Sequence, residues 1–254
     1  MNKLLTIPFT TFILIILTTS TSFSQKSVLI ISTNIDSVGN NRSGTYLMEI
    51  AFPFKHFTDK GFTVDIVTPR GSNAAIYEAK TNEELARIRD SRSFIDKTSN
   101  TLSPDQVNPS KYSAVFVPGG HGQFFDVSTD ERIARIIAKI YEAGGVIGTA
   151  GHGTASIINV ALSDCSYLVA GKTMTTFPTY AELKWMNISN YGKLLPFDMA
   201  EVIKRRGAKL VISTPETIDK FSLTNVVDRD NRFVTGSFAK SAQWVAEEMV
   251  KLIK

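Results

Sequence analysis

The residues best placed to do chemistry lie in the stretch Val146-Ile147-Gly148-Thr149-Ala150-Gly151-His152-Gly153-Thr154. An apolar run passes there through one tight turn into a helix-like segment, with small residues on both sides. That is the logic of a nucleophile elbow, in which a strained turn residue is held up at the end of a strand and small neighbours let strand and helix pack closely. Gly151 stands at the tip. Glycine adopts the backbone the turn demands, but it cannot attack a carbonyl. Backbone N–H groups at the helix start can still hold an anion, and His152 follows the tip directly. A second glycine-rich stretch, Pro118-Gly119-Gly120-His121-Gly122, brings another histidine to the end of an apolar run. The chain's one cysteine, Cys165, sits in the polar turn Ser163–Ser166 and reads as an ordinary loop residue. The hydroxyls of Thr149, Thr154 and Ser156 read as packing or helix-start groups. What remains is a site that moves protons without an evident nucleophile.

The elements that must position these groups alternate between strand and helix. Short β-branched runs at Ser27–Ser32, Phe62–Val67, Tyr112–Val117 and Val146–Ala150 have the character of parallel strands buried on both faces. Between them, amphipathic stretches predict helices over Thr45–Lys60 and Asp130–Ala143. The first turns Leu47, Ile50, Ala51 and Phe54 inward, the second Ile133, Ile136, Ile137, Ile140 and Tyr141. Further on, the sequence predicts a helix from Gly153 to Val160, strands over Tyr167–Thr176 and Lys209–Ile212, and helices at Thr179–Trp185 and Phe197–Arg206. A hairpin, Ser222–Val227 with Arg232–Thr235, and a final helix, Ala239–Ile253, complete the chain. Arg70–Pro109 is polar and irregular, with one short helix near Asn82–Arg89; its length suggests a functional or capping insertion. The alternation predicts an α/β fold, a flavodoxin-like three-layer sandwich whose mostly parallel sheet carries helices on both faces. Ligands bind beyond the carboxyl ends of such strands, which is where the glycine-rich loops and two of the three histidines fall.

In order along nearly the whole chain, these motifs resemble the ThiJ/PfpI superfamily of class I glutamine amidotransferase-like proteins. The resemblance is nearest to the branch of stress-induced chaperones and cofactor-free glyoxalases that convert methylglyoxal to lactate. That branch opens its first helix with Gly-x-x-x-x-Glu, matched by Gly44-Thr45-Tyr46-Leu47-Met48-Glu49 with Pro53 following. Its Pro-Gly-Gly-His-Gly loop is present unchanged, and its Cys-His-Gly elbow reads Gly151-His152-Gly153 here. A glutamate several residues after a Gly-Phe-Thr-like turn is matched by Glu182, after Thr176-Phe177-Pro178. The resemblance therefore implies that Glu49, His152 and Glu182 are the glutamate that contacts the thiol, the histidine and its supporting acid. Gly119, Gly120, His121 and Gly151 would line the ligand pocket. It also implies a homodimer and no cofactor. The family's nucleophile is the cysteine that Gly151 replaces.

The leading expectation is thus a non-catalytic member that binds a small polar or carbonyl ligand or acts as a chaperone-like holder. The alternative is a glyoxalase- or hydrolase-type enzyme of altered mechanism, using His152 with Glu49 or Glu182 for acid–base chemistry on a small carbonyl substrate. A cysteine-dependent enzyme would need Cys165 to reach the pocket. No ligand spacing in the sequence supports a metal site. His56 is expected on the solvent side of the first helix.

Composition narrows the setting. The 254-residue chain carries a formal charge of +4 and no basic run longer than Lys204-Arg205-Arg206, so no nucleic-acid partner is expected. Met1-Asn2-Lys3, an uncharged and mostly apolar stretch from Leu4 to Leu17, and a small-residue site at Ser22-Phe23-Ser24 read as a secretory signal peptide over residues 1–24. The apolar stretch is shorter than the ~20 residues of a spanning helix. The expected product is a secreted or periplasmic single domain over residues 25–254, with no membrane attachment after cleavage. Loss of Lys3 would lower the charge from +4 to +3. With one cysteine, no intrachain disulfide can form.

Overall fold

β-Branched and aromatic residues drive the central strands, and their pairing sets the layout of the molecule. The computed structural model describes residues 26–78, 81–189 and 194–254, with side chains 185–189 excepted. The proposed signal segment lies outside the described residues. The main-sheet strands are β1 (Ser27–Ile31), β2 (Thr63–Val67), β3 (Tyr112–Val117), β4 (Val146–Ala150), β5 (Asn225–Asp228) and β6 (Phe233–Gly236). They are ordered β5-β6-β4-β3-β1-β2, all parallel except β5, which pairs antiparallel with β6. This is the flavodoxin-like arrangement that the strand–helix alternation predicts.

The helices are α1 (Leu47–Asp59), α2 (Glu83–Arg89), α3 (Arg92–Ser99), α4 (Glu131–Glu142), α5 (Thr179–Ser189), α6 (Met199–Arg205) and α7 (Ala242–Leu252). Alternate strand side chains feed two cores. Val28, Ile30, Ala114 and Phe116 pack under α1 and α7. Leu29, Ile31, Val115 and Val117 pack under α4 and α6 on the other face. The inward residues named for α1 and α4 are all buried. Asp130 caps α4 by accepting from the backbone N–H groups of Arg132 and Ile133.

Several local expectations change. The segment after the elbow is a 3-10 helix, Gly151–Ile157, not an α-helix. The Thr154 hydroxyl donates to the Gly151 carbonyl at 3.5 Å, and side-chain bonds of this kind compete with the α-helical ladder. Only Thr173–Met174 of the Tyr167–Thr176 run is strand, and it pairs with Lys209–Leu210 outside the main sheet. The polar segment after Arg70 holds two helices, α2 and α3, with Phe94 of α3 packed edge-on against Phe54 of α1 at 5.3 Å. Its short strand Ile76–Tyr77 pairs with Thr45–Tyr46, which draws this insertion over the start of α1. His56 is half-buried, with its Nε2 shielded and lacking a hydrogen-bond partner among the described residues.

Register fixes the site. Phe116 pairs with Gly148 and Val117 with Thr149, so the turns that follow β3 and β4 leave the sheet side by side. A Cβ added at Gly153 would collide with the Val117 carbonyl oxygen and stand 2.8 Å from the Pro118 carbonyl. Backbone cannot yield as a flexible side chain would. Gly153→Ala is therefore expected to destabilise the fold by about 1–3 kcal/mol, the usual cost of overpacking. Urea unfolding measures this, and an unchanged midpoint would show the turn to be free to move away from β3.

Candidate functional site

The first helix starts beside these two turns. The N–H of Tyr46 donates to the Gly119 carbonyl at 3.0 Å, and Gly120, at φ +122°, lies against the backbone of Gly44 and Thr45. A side chain at Gly120 would force these segments apart. Glu49, in the first turn of α1, therefore points between the two turns and is 3% exposed. A Cβ on Gly119 would stand 2.6 and 2.7 Å from its two carboxyl oxygens, and a Cβ on Gly151 would collide with Oε1. Gly151 has φ +51°. The tip of the elbow is thus the seat of the Glu49 carboxyl, which fills the space that a side chain at 151 would take.

Burial raises the Glu49 carboxyl to about 8, opposed by a hydrogen bond from the Gly119 N–H. Its Oε1 has no hydrogen-bond partner among the described residues. A buried acceptor in that state calls for a proton, a water or a ligand hydroxyl.

On the far side of Gly151, one carboxylate serves two imidazoles. Glu182, from α5, places Oε2 2.6 Å from His152 Nε2 and Oε1 3.2 Å from His121 Nε2. The His152 ring lies between His121 and Phe177, with centroids 4.3 Å from each. Burial, then the charge of the adjacent His152, pushes the His121 imidazole down to about 4 against the pull of Glu182. Burial alone would raise Glu182, but the charge of His152 and the hydrogen bonds from both rings hold it below the ordinary carboxylate range. With Nε2 committed to Glu182, Nδ1 is the His152 nitrogen left for a ligand.

Glu49, Gly120, His121, Gly151 and His152 line one cavity of about 610 Å³. Gly119 stands behind Glu49, and Glu182 stands behind His152, in a smaller cavity of about 230 Å³ lined mainly by apolar residues. Cys165 lines neither cavity, is exposed and sits at φ +66°, so it is a turn residue and no substitute for an elbow thiol.

Sequence reasoning missed Tyr46, Tyr77 and Arg42, which line the larger cavity, and Phe177, which lines both cavities. It also missed Gln123. This fully buried amide donates to the carbonyls of Ile31 and Pro118 and accepts from Ser156, tying β1, β3 and the elbow together. Its position two residues after His121 in a glycine-rich loop was the available signal.

The profile of the DJ-1/PfpI family matches residues 42–251, which takes in every element of this site. The chain belongs to that family. A probable glutathione-independent glyoxalase of Schizosaccharomyces pombe is 30% identical over 205 residues, spanning 79% of this chain and 90% of that protein. A glutathione-independent glyoxalase of Saccharomyces cerevisiae is 27% identical over 251 residues, spanning 91% and 99%. The crystal structure of the Francisella tularensis Rapid Encystment Protein superposes with a TM-score of 0.78 at 25% identity, covering 91% of this chain and 100% of that one.

Two outcomes follow from the seating of Glu49 in this DJ-1/PfpI site. Its pKa lies near 8 folded against 4.5 as a free side chain. Between those values the folded chain keeps a proton that the unfolded chain releases, so stability falls as pH rises through the window and then levels off. Glu49→Gln escapes that loss. Its melting temperature relative to the parent should therefore increase from about pH 5 to about pH 8, by an amount corresponding to a few kcal/mol. An equal difference at both pH values would contradict a protonated buried Glu49. Separately, Gly151→Cys should be destabilised by about 1–3 kcal/mol through its collision with Glu49 and its positive φ. Adding Glu49→Ser should relieve part of this loss, and strict additivity in the double-mutant cycle would show that the two positions do not compete for space.

Proposed function

We propose that this chain is a glyoxalase-type enzyme of altered mechanism, converting small α-oxoaldehydes to α-hydroxy acids by proton transfer alone. The observation that carries the reading is Glu49: a buried carboxyl raised to about 8, with one unpartnered oxygen, facing the same cavity as His152. A site that only held a ligand would gain nothing from so costly a group. The names of the glyoxalase relatives support the same reaction class.

The substrate is the aldehyde hydrate, in which water has already added to C1 and takes the place of a thiol adduct. Glu49 carboxylate removes the C1 hydrogen as a proton while His152 gives a proton to the C2 oxygen. The product of that step is an enediol with two oxygens on C1. Glu49 then returns its proton to C2, and His152 regains one from a C1 hydroxyl as that oxygen becomes the acid carbonyl. The sum is oxoaldehyde plus water to hydroxy acid, with C1 oxidised, C2 reduced and no external redox partner. Glu182 keeps His152 oriented through its 2.6 Å hydrogen bond to Nε2. A carboxylate of pKa near 8 is a far stronger base than an ordinary glutamate. The cavity, at about 610 Å³, is large enough for substrates well beyond three carbons.

One observation favours the second reading, a binding or chaperone-like role without turnover: the elbow carries glycine. The two separate in one assay. Protein given methylglyoxal should form lactate, with kcat/KM rising through an apparent pKa near 8 as Glu49 ionises. Glu49→Gln should lose about 10²-fold or more, and Cys165→Ser should lose nothing. Lactate formation no faster than in buffer, across the whole pH range, sinks the enzyme reading and leaves the ligand-binding one.

A further inference from the structure

The His121–His152–Glu182 cluster holds more than proton transfer requires. Orienting His152 takes one carboxylate oxygen, yet a second imidazole converges on the same group from the glycine-rich loop after β3. One ligand atom from each of the three residues lies within 4.8 Å of the others. Around a zinc-class ion, with metal bonds of about 2.0–2.2 Å, tetrahedral ligands stand about 3.3 Å apart. Two of the three pairs, at 3.2 and 2.6 Å, are already at or inside that separation. An ion would take the place of the protons that now bridge them.

The surroundings suit such an ion. His152 is fixed between the rings of His121 and Phe177, with Phe124 at 5.7 Å, so its nitrogen is aimed before any ion arrives. His121 and His152 open onto the larger cavity, while Glu182 reaches in from behind. Three protein ligands with the remaining position turned toward a cavity is the pattern of a reactive metal centre, not a sealed structural one. Two imidazoles and one carboxylate favour borderline transition cations over magnesium or calcium, which take oxygen ligands.

We propose that His121, His152 and Glu182 form a three-ligand site for a divalent cation of the zinc class, with open coordination toward the cavity. The ion would bind His152 through Nε2 and leave the ring proton on Nδ1. With the ion in place the ring cannot form the imidazolium that gives a proton readily to the C2 oxygen, so the ion should inhibit the thiol-free reaction. That last consequence rests on the proposed function, whereas binding itself does not.

The test uses untagged full-length protein stripped with a chelator. Zinc ions are titrated in competition with a chromophoric chelator, and cobalt ions are added in parallel to read the visible absorption of the site. One ion per chain is expected, with the intense cobalt bands of a tetrahedral nitrogen–oxygen site. His121→Ala and Glu182→Gln should each weaken binding about 10- to 100-fold, with circular dichroism confirming that both variants fold. Cys165→Ser and His56→Ala should leave binding unchanged. Absence of stoichiometric binding by the parent protein overturns the proposal, as does cobalt absorption of octahedral type or binding that survives both ligand substitutions. Zinc binding by a protein whose chelator-stripped form makes no lactate would retain the site and discard the enzyme reading. Lactate formation without zinc binding would do the reverse.

Discussion

The Glu49 carboxyl group is wedged between the backbones of Gly119 and Gly151, and the arrangement of strands, turns and helix around it follows from that contact. Two parallel strands in step must end together so that their turns form the two walls. With Glu49 in this position glycine suits both walls, because a Cβ on either side meets the carboxyl oxygens. The first helix must then start close enough to aim Glu49 into the slot, which the Tyr46 to Gly119 hydrogen bond and the Gly44–Gly120 contact provide. Glu49 also stands in the first turn of its helix, where the positive end of the helix dipole favours negative charge. Burial outweighs that help, and the net effect is a raised pKa.

The opposite wall solves the reverse problem. Glu182 is also largely removed from water, but two imidazoles supply hydrogen bonds to its oxygens, so its charge persists where that of Glu49 does not. Two glutamates on either side of one glycine are thereby driven to opposite protonation states at neutral pH. Opposite environments thus set the protonation of the two carboxyl groups, one lining the larger cavity and one behind His152. The aromatic packing of His152 matters here, because a ring free to turn could not hold its hydrogen bond to Glu182 while serving a ligand.

Much of this was legible in the sequence. Strands β1 to β4 and helices α1 and α4 announce themselves through β-branched runs and a 3.6-residue apolar period, and their ends fall within a residue or two of expectation. The motifs placed Glu49, His121 and His152 at one cavity and Glu182 beside His152. What stayed hidden depends on distance in sequence or on very short elements. Two-residue pairings such as Thr45–Tyr46 with Ile76–Tyr77 carry no period to detect, so Tyr77 gave no sign that it faces the site. The convergence of positions 121, 152 and 182 from three separate segments leaves no ligand spacing to read. Nor could the sequence show that Glu49 fills the place of the missing side chain, since that follows from strand register and turn conformation together.

The absent sulfur therefore changes the chemistry in a definite direction. A thiol at the elbow would serve as the nucleophile that forms the adduct, and its neighbouring glutamate would be one partner of that thiol. With glycine there, the Glu49 carboxyl occupies space that a side chain at 151 would need, and burial raises its pKa. In the proposed reaction water adds to the α-oxoaldehyde without help, so the adduct needs no protein atom. The remaining difficulty is carrying a proton from C1 to C2, and that demands a base whose pKa is far above that of a solvated carboxylate. A glycine at this position removes the atom that would bond to carbon, and in the proposed reaction it leaves Glu49 seated where a raised pKa suits it to take the hydrogen instead.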